Sequence, residues 1–367
     1  MGKIRRALGL MSGTSMDGID IALIETDGEN HVRRLAAGGW AYEPAFRDRL
    51  RGALDDALAI KERTERPGDL AAVEAELTRL HADTIMRFIG DRMLQPAAID
   101  VIGFHGQTVL HRPEDRLTVQ IGDGAALAAA TGIDVVHDLR AADSAAGGQG
   151  APLAPAYHRA LATKAPERPV AIVNIGGVAN ITWIGADGAL VAFDSGPGNA
   201  LIDDWMRWRT GFPRDEDGLF AAKGKVHEDY VSAYFRHNHF SAPAPKSLDR
   251  NAFDVKLVDQ LSTEDGAATL TAFTAASIAR AREHVPEEPR MWIVSGGGRR
   301  NRTLMTMLAG YVHTAVVPAE ALGFDGDAIE AEAWAYLAVR SLDKRPITFP
   351  GTTGVRVPMT GGVLSRA

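Results

Sequence analysis

Two segments of the chain share one pattern: an apolar run, a turn rich in small and polar residues, then a second apolar run. The first spans residues 7–24 with its turn at 12–18, and the second spans 170–184 with Gly176-Gly177 at its turn. Short apolar runs bounded by turn residues predict strands, so each segment predicts a β-hairpin. Glycine lacks a Cβ, and backbone N–H groups at such turns can close on an anion such as phosphate. The repeat predicts two duplicated halves that face each other across a nucleotide.

Strand-like and helix-like patterns alternate along the rest of the chain. Strands are predicted at 99–104, 118–121, 133–136, 190–193 and 291–294, and helices within 44–94, at 125–130, 200–209, 269–281 and 328–342, and through Met305 and Met307. Asn199 is the expected N-cap of the helix at 200–209. Residues 211–250 are expected to be an irregular surface excursion, and 346–367 a loop-like tail. The alternation predicts α/β layers.

The length of 367 residues predicts about two domains. We expect an N-terminal domain at 1–135, which the tail 355–367 would complete, and a C-terminal domain at 136–354. With 46% hydrophobic and 24% charged residues, the composition is that of an ordinary globular chain.

Charge and cysteine content exclude several classes. The net charge of −7 makes a large basic surface for nucleic acid unexpected. The chain has no cysteine, which excludes disulfides, thiolate zinc sites and cysteine nucleophiles and fits a reducing compartment. Its apolar runs are too short for a signal peptide or a membrane span. We therefore expect a cytoplasmic protein with no nucleic-acid or membrane partner.

The common nucleotide-binding motifs are incomplete. A P-loop needs Gly-Lys followed by Ser or Thr, but Gly224-Lys225 is followed by Val226. The dinucleotide fingerprint needs a third glycine where this chain has Leu127 and Leu201. These near-misses are weak signals, and a nicotinamide enzyme remains an alternative at this point.

A set of short motifs, in order along nearly the whole chain, closely resembles those of anhydro-N-acetylmuramic acid kinases. They are Leu10-Met11-Ser12-Gly13-Thr14-Ser15-Met16-Asp17-Gly18-Ile19-Asp20, His105-Gly106-Gln107-Thr108, Val119-Gln120-Ile121-Gly122, Asp138-Leu139-Arg140, Gly147-Gly148-Gln149-Gly150-Ala151-Pro152, Asn174-Ile175-Gly176-Gly177, Asp194-Ser195-Gly196-Pro197-Gly198-Asn199 and Ser295-Gly296-Gly297-Gly298. Each motif alone is weak, but the ordered set is specific.

The resemblance implies a duplicated, two-domain α/β fold of the actin-like ATPase (ribonuclease H-like) type with an interdomain cleft. It implies an enzyme that uses ATP, Mg²⁺ and water to open the ring of 1,6-anhydro-N-acetylmuramic acid and to phosphorylate O6. The products would be N-acetylmuramic acid 6-phosphate and ADP, in peptidoglycan recycling. It also implies a homodimer, on which composition is silent.

The resemblance assigns the nucleotide to three segments, each of which has the alternative of a plain structural turn. The first segment would contact the phosphates with Ser12, Gly13, Thr14, Ser15, Met16, Asp17, Gly18, Ile19 and Asp20. The second hairpin would contribute Asn174, Gly176 and Gly177. The adenosine would lie against Gly296, Gly297 and Gly298. Many members of the wider superfamily have an aspartate that helps to hold magnesium where this chain has Met11. Asp17, Asp20 or Asp194 could take over that part, and the metal ligand stays unknown.

Two carboxylates are candidate catalytic groups. Asp194 ends a predicted strand beside a glycine turn and would act as general base on the attacking water; the alternative is an aspartate that caps its own turn. Glu330 shares a helix face with Trp334 and Leu337 and would orient the water or the sugar. The alternative for Glu330 is a solvated helix residue.

The sugar site would contain Arg140, His105 and Gln107. A planar guanidinium suits a bidentate contact with the lactyl carboxylate of muramic acid, although an ion pair of Arg140 with Asp138 or Asp143 is an equal alternative. His105 and Gln107 could instead be structural. Two rival functions remain: a kinase for another aminosugar or anhydrosugar, and an ATP-binding module without sugar turnover.

Overall fold

The computed structural model describes residues 2–13 and 16–367, and its contacts divide the chain into two compact units. The first unit comprises Met1–Thr163 and Ala328–Ala367, and the second unit comprises Lys164–Asp327. The expected boundary was 135/136, with 136–354 in one domain. The chain instead leaves the first unit after Thr163 and returns to it at Ala328.

The first unit combines a large sheet, a small hairpin and surrounding helices. Its strands are β1 (Arg5–Met11), β2 (Gly18–Thr26), β3 (Val32–Ala41), β4 (Val101–Phe104), β5 (Gln107–Arg112), β6 (Leu117–Ile121) and β7 (Val135–His137). Its helices up to Thr163 are α1 (Pro44–Ala57), α2 (Leu70–Gly90), α3 (Gly124–Thr131), α4 (Ala141–Ala145) and α5 (Pro155–Leu161). β5 and β6 form the separate hairpin.

The second unit contains one sheet within the described residues. Its strands are β8 (Val170–Ile175), β9 (Val178–Ile184), β10 (Leu190–Pro197), β11 (Met291–Ser295) and β12 (Ala315–Pro318), and its helices are α6 (Asn199–Thr210), α7 (Glu228–Tyr234), α8 (Thr263–Arg280) and α9 (Arg302–Val312). The chain then re-enters the first unit with α10 (Ile329–Leu342), α11 (Pro350–Thr353) and β13 (Val363–Ser365).

The two sheets have the same core topology. The first sheet has the order β13-β7-β4-β1-β2-β3, and the second has β12-β11-β8-β9-β10 when read in the same sense. In both, the hairpin strands pair antiparallel and the next two strands join parallel (β1 with β4 and β7, β8 with β11 and β12). Both hairpins and the duplication predicted from the sequence are therefore present.

Two strand glycines explain why α10 belongs to the first unit. A Cβ on Gly9 would lie 1.8 Å from the carbonyl oxygen of Ala331, and one on Gly103 would lie 2.0 Å from that of Trp334. Gly9 and Gly103 are register partners on β1 and β4, so they form a groove without side chains in which the backbone of α10 lies. Any larger residue would push the helix off the sheet.

Some local expectations were wrong. Gly198, not Asn199, occupies the N-cap of α6, and the Asn199 amide donates to the carbonyls of Ile175 and Gly176. The excursion 211–250 contains α7, and the tail contains α11 and β13. β13 pairs antiparallel with β7 at the edge of the first sheet. Among the described residues, every helix is too short or too polar to cross a membrane.

Candidate active site

The turn after β1 is fixed to the core of the first unit through Ser12. The Tyr42 hydroxyl donates to Ser12 Oγ (3.1 Å), and Ser12 Oγ lies 2.8 Å from His81 Nε2. His81 Nδ1 donates to the Leu77 carbonyl (2.8 Å), and burial lowers the pKa of His81 to about 4. A neutral His81 with its proton on Nδ1 accepts at Nε2. The Ser12 hydroxyl therefore anchors the turn. The expectation from the sequence was that it would contact a phosphate.

Two further predicted site residues hold the same turn. His105 Nδ1 donates to the carbonyl of Ser12 (3.1 Å), and Gln107 Nε2 donates to the carbonyl of Gly13 (3.2 Å). Gln107 is buried, and its Oε1 is buried without a hydrogen-bond partner among the described residues. That oxygen is an acceptor available to a ligand hydroxyl or a water.

The remaining members of the first predicted phosphate segment differ in their surroundings. Thr14 and Ser15 lie outside the described residues. Met16 N–H donates to the Gly13 carbonyl (3.1 Å), and the Asp17 carbonyl accepts from Tyr42 N–H (2.9 Å). Three others, Gly18, Ile19 and Asp20, begin β2. A Cβ on Gly18 would lie 2.3 Å from the Trp40 carbonyl oxygen, so this glycine is required by strand packing.

Arg140 is held in one orientation by its neighbours in the first unit. Its Nε and Nη2 donate to His105 Nε2 (3.3 and 3.2 Å), and its Nη1 donates to the Gly150 carbonyl (2.9 Å). The guanidinium lies 5.2 Å from the ring centroid of Trp334, which also contacts His105. Of the two aspartates considered as alternative partners, Asp138 pairs with Arg63, whereas the charge of Asp143 acts on Arg140.

The pKa shifts of His105 and Arg140 agree with the contact between the two side chains. Burial, with the charge of Arg140 added, lowers the pKa of His105 well below its usual value. The ring is therefore neutral, with its proton on Nδ1 and its lone pair facing the guanidinium. Burial lowers the pKa of Arg140 to about 10, and the charges of Glu330 and Asp143 oppose that change. Arg140 stays a cation at neutral pH, as recognition of an anion requires.

Glu330 belongs to this group of residues. It lies in the first turn of α10, one turn before Trp334, and its side chain is exposed to solvent. The protein around it nevertheless raises its pKa by desolvation, while the positive charge of Arg140 acts in the opposite direction. The structure thus places Arg140, His105, Trp334 and Glu330 together in the first unit.

The second glycine turn is held by the start of α6. Gly176 O accepts from Asn199 N–H (2.7 Å), Gly177 O accepts from Gly198 N–H (2.9 Å), and Ile175 O accepts from the Asn199 side chain (3.0 Å). A trans peptide directs each N–H opposite to the preceding carbonyl. The N–H groups of Gly176 and Gly177 therefore point away from the start of α6.

The predicted adenosine segment lies beside this turn in the second unit. A Cβ on Gly296 (φ 73°) would lie 2.2 Å from Asn174 Oδ1, and one on Gly298 would lie 2.3 Å from the Ile175 side chain. A Cβ on Gly297 would lie 3.8 Å from the side-chain nitrogen of Asn199. The structure thus brings the nucleotide residues predicted in the second unit into one cluster.

Asp194 is fixed mainly by backbone groups of the second unit. Its Oδ2 accepts from the N–H of Leu248 (2.8 Å), its own N–H donates to the Lys246 carbonyl, and its carbonyl accepts from His239 Nε2. The register of β10 shifts between Asp194 and Gly196, and such irregularities redirect side chains beside active sites. Burial raises the pKa of Asp194 to about 6, and the Leu248 bond only partly opposes it.

Several of these contacts were missed by sequence reasoning. Tyr42, His81 and Trp334 had no assigned role, and residues 239–248 were expected to be irregular. The spacing of Trp334 from Glu330 on one helix face was a usable signal. His81 and Tyr42 gave none, because only the fold brings them to Ser12.

Within residues 2–13 and 16–367, there is no cluster of three or more His, Cys, Asp or Glu side chains suited to a metal ion. Met11 lies at the position where many members of the superfamily have aspartate. Its sulfur accepts a hydrogen bond from Trp334 Nε1 (3.0 Å).

Comparison with known proteins decides the family. The family model for anhydro-N-acetylmuramic acid kinase matches residues 5–367. The chain belongs to this family. Among curated members, anhydro-N-acetylmuramic acid kinases of Brucella canis and Agrobacterium fabrum are each 53% identical, covering 99% and 100% of both chains respectively. That of Rhizorhabdus wittichii is 55% identical over 98% of both chains.

A solved structure supports the fold alone. Component A of (R)-2-hydroxyglutaryl-CoA dehydratase from Acidaminococcus fermentans is similar with a TM-score of 0.50 and 11% identity, covering 93% of this chain and 100% of that chain. The α/β actin-like ATPase fold and the kinase family expected from the sequence are confirmed. The chain is thus an enzyme of the anhydro-N-acetylmuramic acid kinase family.

Proposed function

We propose that this enzyme couples hydrolytic opening of 1,6-anhydro-N-acetylmuramic acid to transfer of the γ-phosphoryl group of ATP onto O6. The products are N-acetylmuramic acid 6-phosphate and ADP. The observation that carries this proposal is Asp194, a half-buried carboxylate with a pKa raised to about 6. A general base is most effective when its pKa is near the working pH.

The chemical step balances with one water and one ATP. The water oxygen bonds to the anomeric carbon while one water proton passes to Asp194, and the bond between that carbon and O6 breaks. O6 attacks the γ-phosphorus, and the bond from that phosphorus to the β-γ bridging oxygen breaks to release ADP. The proton on Asp194 returns to solvent. Phosphoryl transfer depends mostly on positioning and charge stabilisation.

Recognition of the sugar is assigned to Arg140 and its neighbours. Three of the five guanidinium N–H groups are used by His105 and Gly150. The remaining pair, on Nη1 and Nη2, fits a bidentate contact with the lactyl carboxylate. Gln107 Oε1 would accept a hydrogen bond from a hydroxyl of the sugar. Glu330 would orient the sugar or the attacking water.

Nucleotide binding is assigned to the two glycine turns and the segment Gly296-Gly297-Gly298. The N–H groups of Gly176 and Gly177 would face phosphate oxygens. Mg²⁺ keeps several waters and binds through substrate phosphates, so we expect it to arrive with the triphosphate and to neutralise its charge. We further propose a cytoplasmic homodimer in peptidoglycan recycling, as the resemblance implies.

A coupled ADP-release assay with Mg-ATP and 1,6-anhydro-N-acetylmuramic acid tests the proposal, with mass spectrometry of the product. We expect sugar-dependent ADP and a product heavier than the substrate by one HPO₃ and one H₂O. The matched control is 1,6-anhydro-N-acetylglucosamine, which lacks the lactyl group and should react poorly. Equal rates with both sugars would contradict the role of Arg140. ADP release unaffected by any sugar would point to an ATP-binding module, and turnover of a different sugar to another kinase specificity.

A further inference from the structure

The segment 246–250 is tied to the strand that bears Asp194. Lys246 Nζ donates to the His239 carbonyl (2.9 Å) and to His284 Nε2 (3.1 Å), and it lies 5.6 Å from the ring centroid of Phe193. Two residues later, the N–H of Leu248 donates to Asp194 Oδ2. The path of this segment is therefore fixed, and so is the position at which Arg250 leaves it.

Arg250 lies against the second glycine turn. A Cβ built on Gly177 would lie 3.8 Å from Arg250 Nε and 3.9 Å from its Cδ. The nearest atom to that Cβ, at 3.6 Å, is the Cβ of Ala200 in α6, so Arg250 borders Gly177 on the side of α6. To reach an anion held by the N–H groups of the turn, the guanidinium would turn away from Asp204. A side chain on Gly177 would come between the turn and the cation.

The visible partner of Arg250 does not account for its position. Its Nη2 lies 3.4 Å from Asp204 Oδ1, with the Arg250 side chain 55% exposed. Asp204 is engaged more closely by Arg207, three residues further along α6, and Arg207 also donates to the Pro213 carbonyl. A long, exposed ion pair stabilises a fold little, so Arg250 can exchange this contact for a more highly charged one.

We propose that Arg250 is an anion-binding residue of the nucleotide site and contacts the phosphates of a nucleoside di- or triphosphate at the Gly176-Gly177 turn. This inference rests on the proposed function, because it assumes that the nucleotide binds at that turn. Arginine presents a planar set of donors that matches phosphate oxygens and adds a full positive charge to the partial charges of the backbone N–H groups.

Calorimetric titration of the full chain with Mg-ATP, ADP and adenosine tests the assignment in Arg250→Gln and Arg250→Lys. The control is Arg207→Gln, because Arg207 pairs with the same aspartate and is similarly exposed at 47%. In Arg250→Gln we expect the Kd for ATP and ADP to rise by about tenfold, as for loss of one charge-assisted hydrogen bond. Adenosine affinity should not change, Arg250→Lys should retain part of the phosphate affinity, and Arg207→Gln should match the parent.

Each other outcome overturns the assignment. Unchanged ATP and ADP affinity in Arg250→Gln would show that Arg250 does not contact the phosphates. An equal loss for adenosine, ADP and ATP would assign Arg250 a structural part, as would an equal effect of Arg207→Gln. If the parent binds the nucleotides and Arg250→Gln binds them with the same affinity, this inference fails while the proposed function stands. If the parent binds no nucleotide, the proposed function fails with it.

Discussion

The two units hold their candidate site residues by different means. In the first unit, side chains distant in sequence fix the turn and the sugar residues: Tyr42 and His81 on Ser12, and His105 on both Ser12 and Arg140. In the second unit, mostly backbone groups do so: Leu248 N–H fixes Asp194, and the start of α6 fixes Gly176 and Gly177. Side-chain anchors can be removed by one substitution, whereas backbone anchors persist.

The two candidate carboxylates show the same contrast. Desolvation by the surrounding protein raises the pKa of both, although Asp194 is half-buried and Glu330 is exposed at its surface. For Asp194, the rise in pKa is opposed only by the neutral N–H of Leu248, so its carboxylate can accept a proton near neutral pH. Glu330 faces the charge of Arg140, which favours its ionised form. This difference suits Asp194 to proton transfer and Glu330 to orientation.

The largest effect is expected for Asp194→Asn. An amide cannot accept the water proton but can keep the contact with Leu248 N–H. Removal of a general base typically costs about 10²- to 10⁴-fold, so sugar-dependent kcat should fall in that range. Steady-state ADP release measures kcat, and titration with ATP should give an unchanged Kd. A kcat within tenfold of the parent, with ATP affinity intact, would reject Asp194 as the base.

A smaller loss is expected for Glu330→Gln. Misplacement of reacting groups can cost about 10²-fold, and we expect kcat to fall by that much or less. Glu330→Asp keeps the charge and should recover part of the rate. The contrast with Asp194 would break if Glu330→Gln lost more activity than Asp194→Asn in the same assay, because the roles of base and orienting group would then be exchanged.

The pH dependence of kcat sharpens the assignment of the base. Asp194 must be deprotonated to accept a proton, so kcat should be constant above its pKa and fall as pH decreases through about 6. Burial also raises the pKa of Asp203 in α6 to about 6. Asp203→Asn should therefore leave the acidic limb in place. Loss of the limb in that variant would assign it to Asp203 instead.

The smallest effects are expected at the anchors of the two turns. Ser12→Ala leaves the buried groups of Tyr42 and His81 without their partner, which should lower the free energy of unfolding by about 1–3 kcal/mol. Asn199→Ala removes two amide contacts from the second turn, but Gly176 O keeps its backbone donor, so we expect about 1 kcal/mol or less. Urea unfolding measures both. Equal losses would contradict the contrast between side-chain and backbone anchoring.

Local patterns predicted much of the fold. The two hairpins, the alternating elements and the α/β class follow from apolar runs bounded by glycine and polar turns. The boundary at Thr163 and the return at Ala328 did not follow, because membership of α10 in the first unit depends on Gly9 and Gly103 meeting in register. Strand pairing between distant segments leaves no local periodicity.

The candidate site divides in the same way. Arg140, His105 and Gln107 were named from the sequence, and the structure brings Arg140 and His105 into contact. The ordering of Arg140 by Trp334 and the anchoring of Ser12 by His81 could not be named, because His81 looks like any helix residue in the sequence.

The sequence by itself determined the family, the duplicated hairpins and the residue types available for phosphate and carboxylate chemistry. These depend on local order along the chain, where glycine, charge and apolar periodicity act over a few residues. Only the tertiary structure decided the proton position on His105, the raised pKa values of Asp194 and Glu330, and the approach of Arg250 to Gly177. Each depends on desolvation and on short distances between residues far apart in sequence.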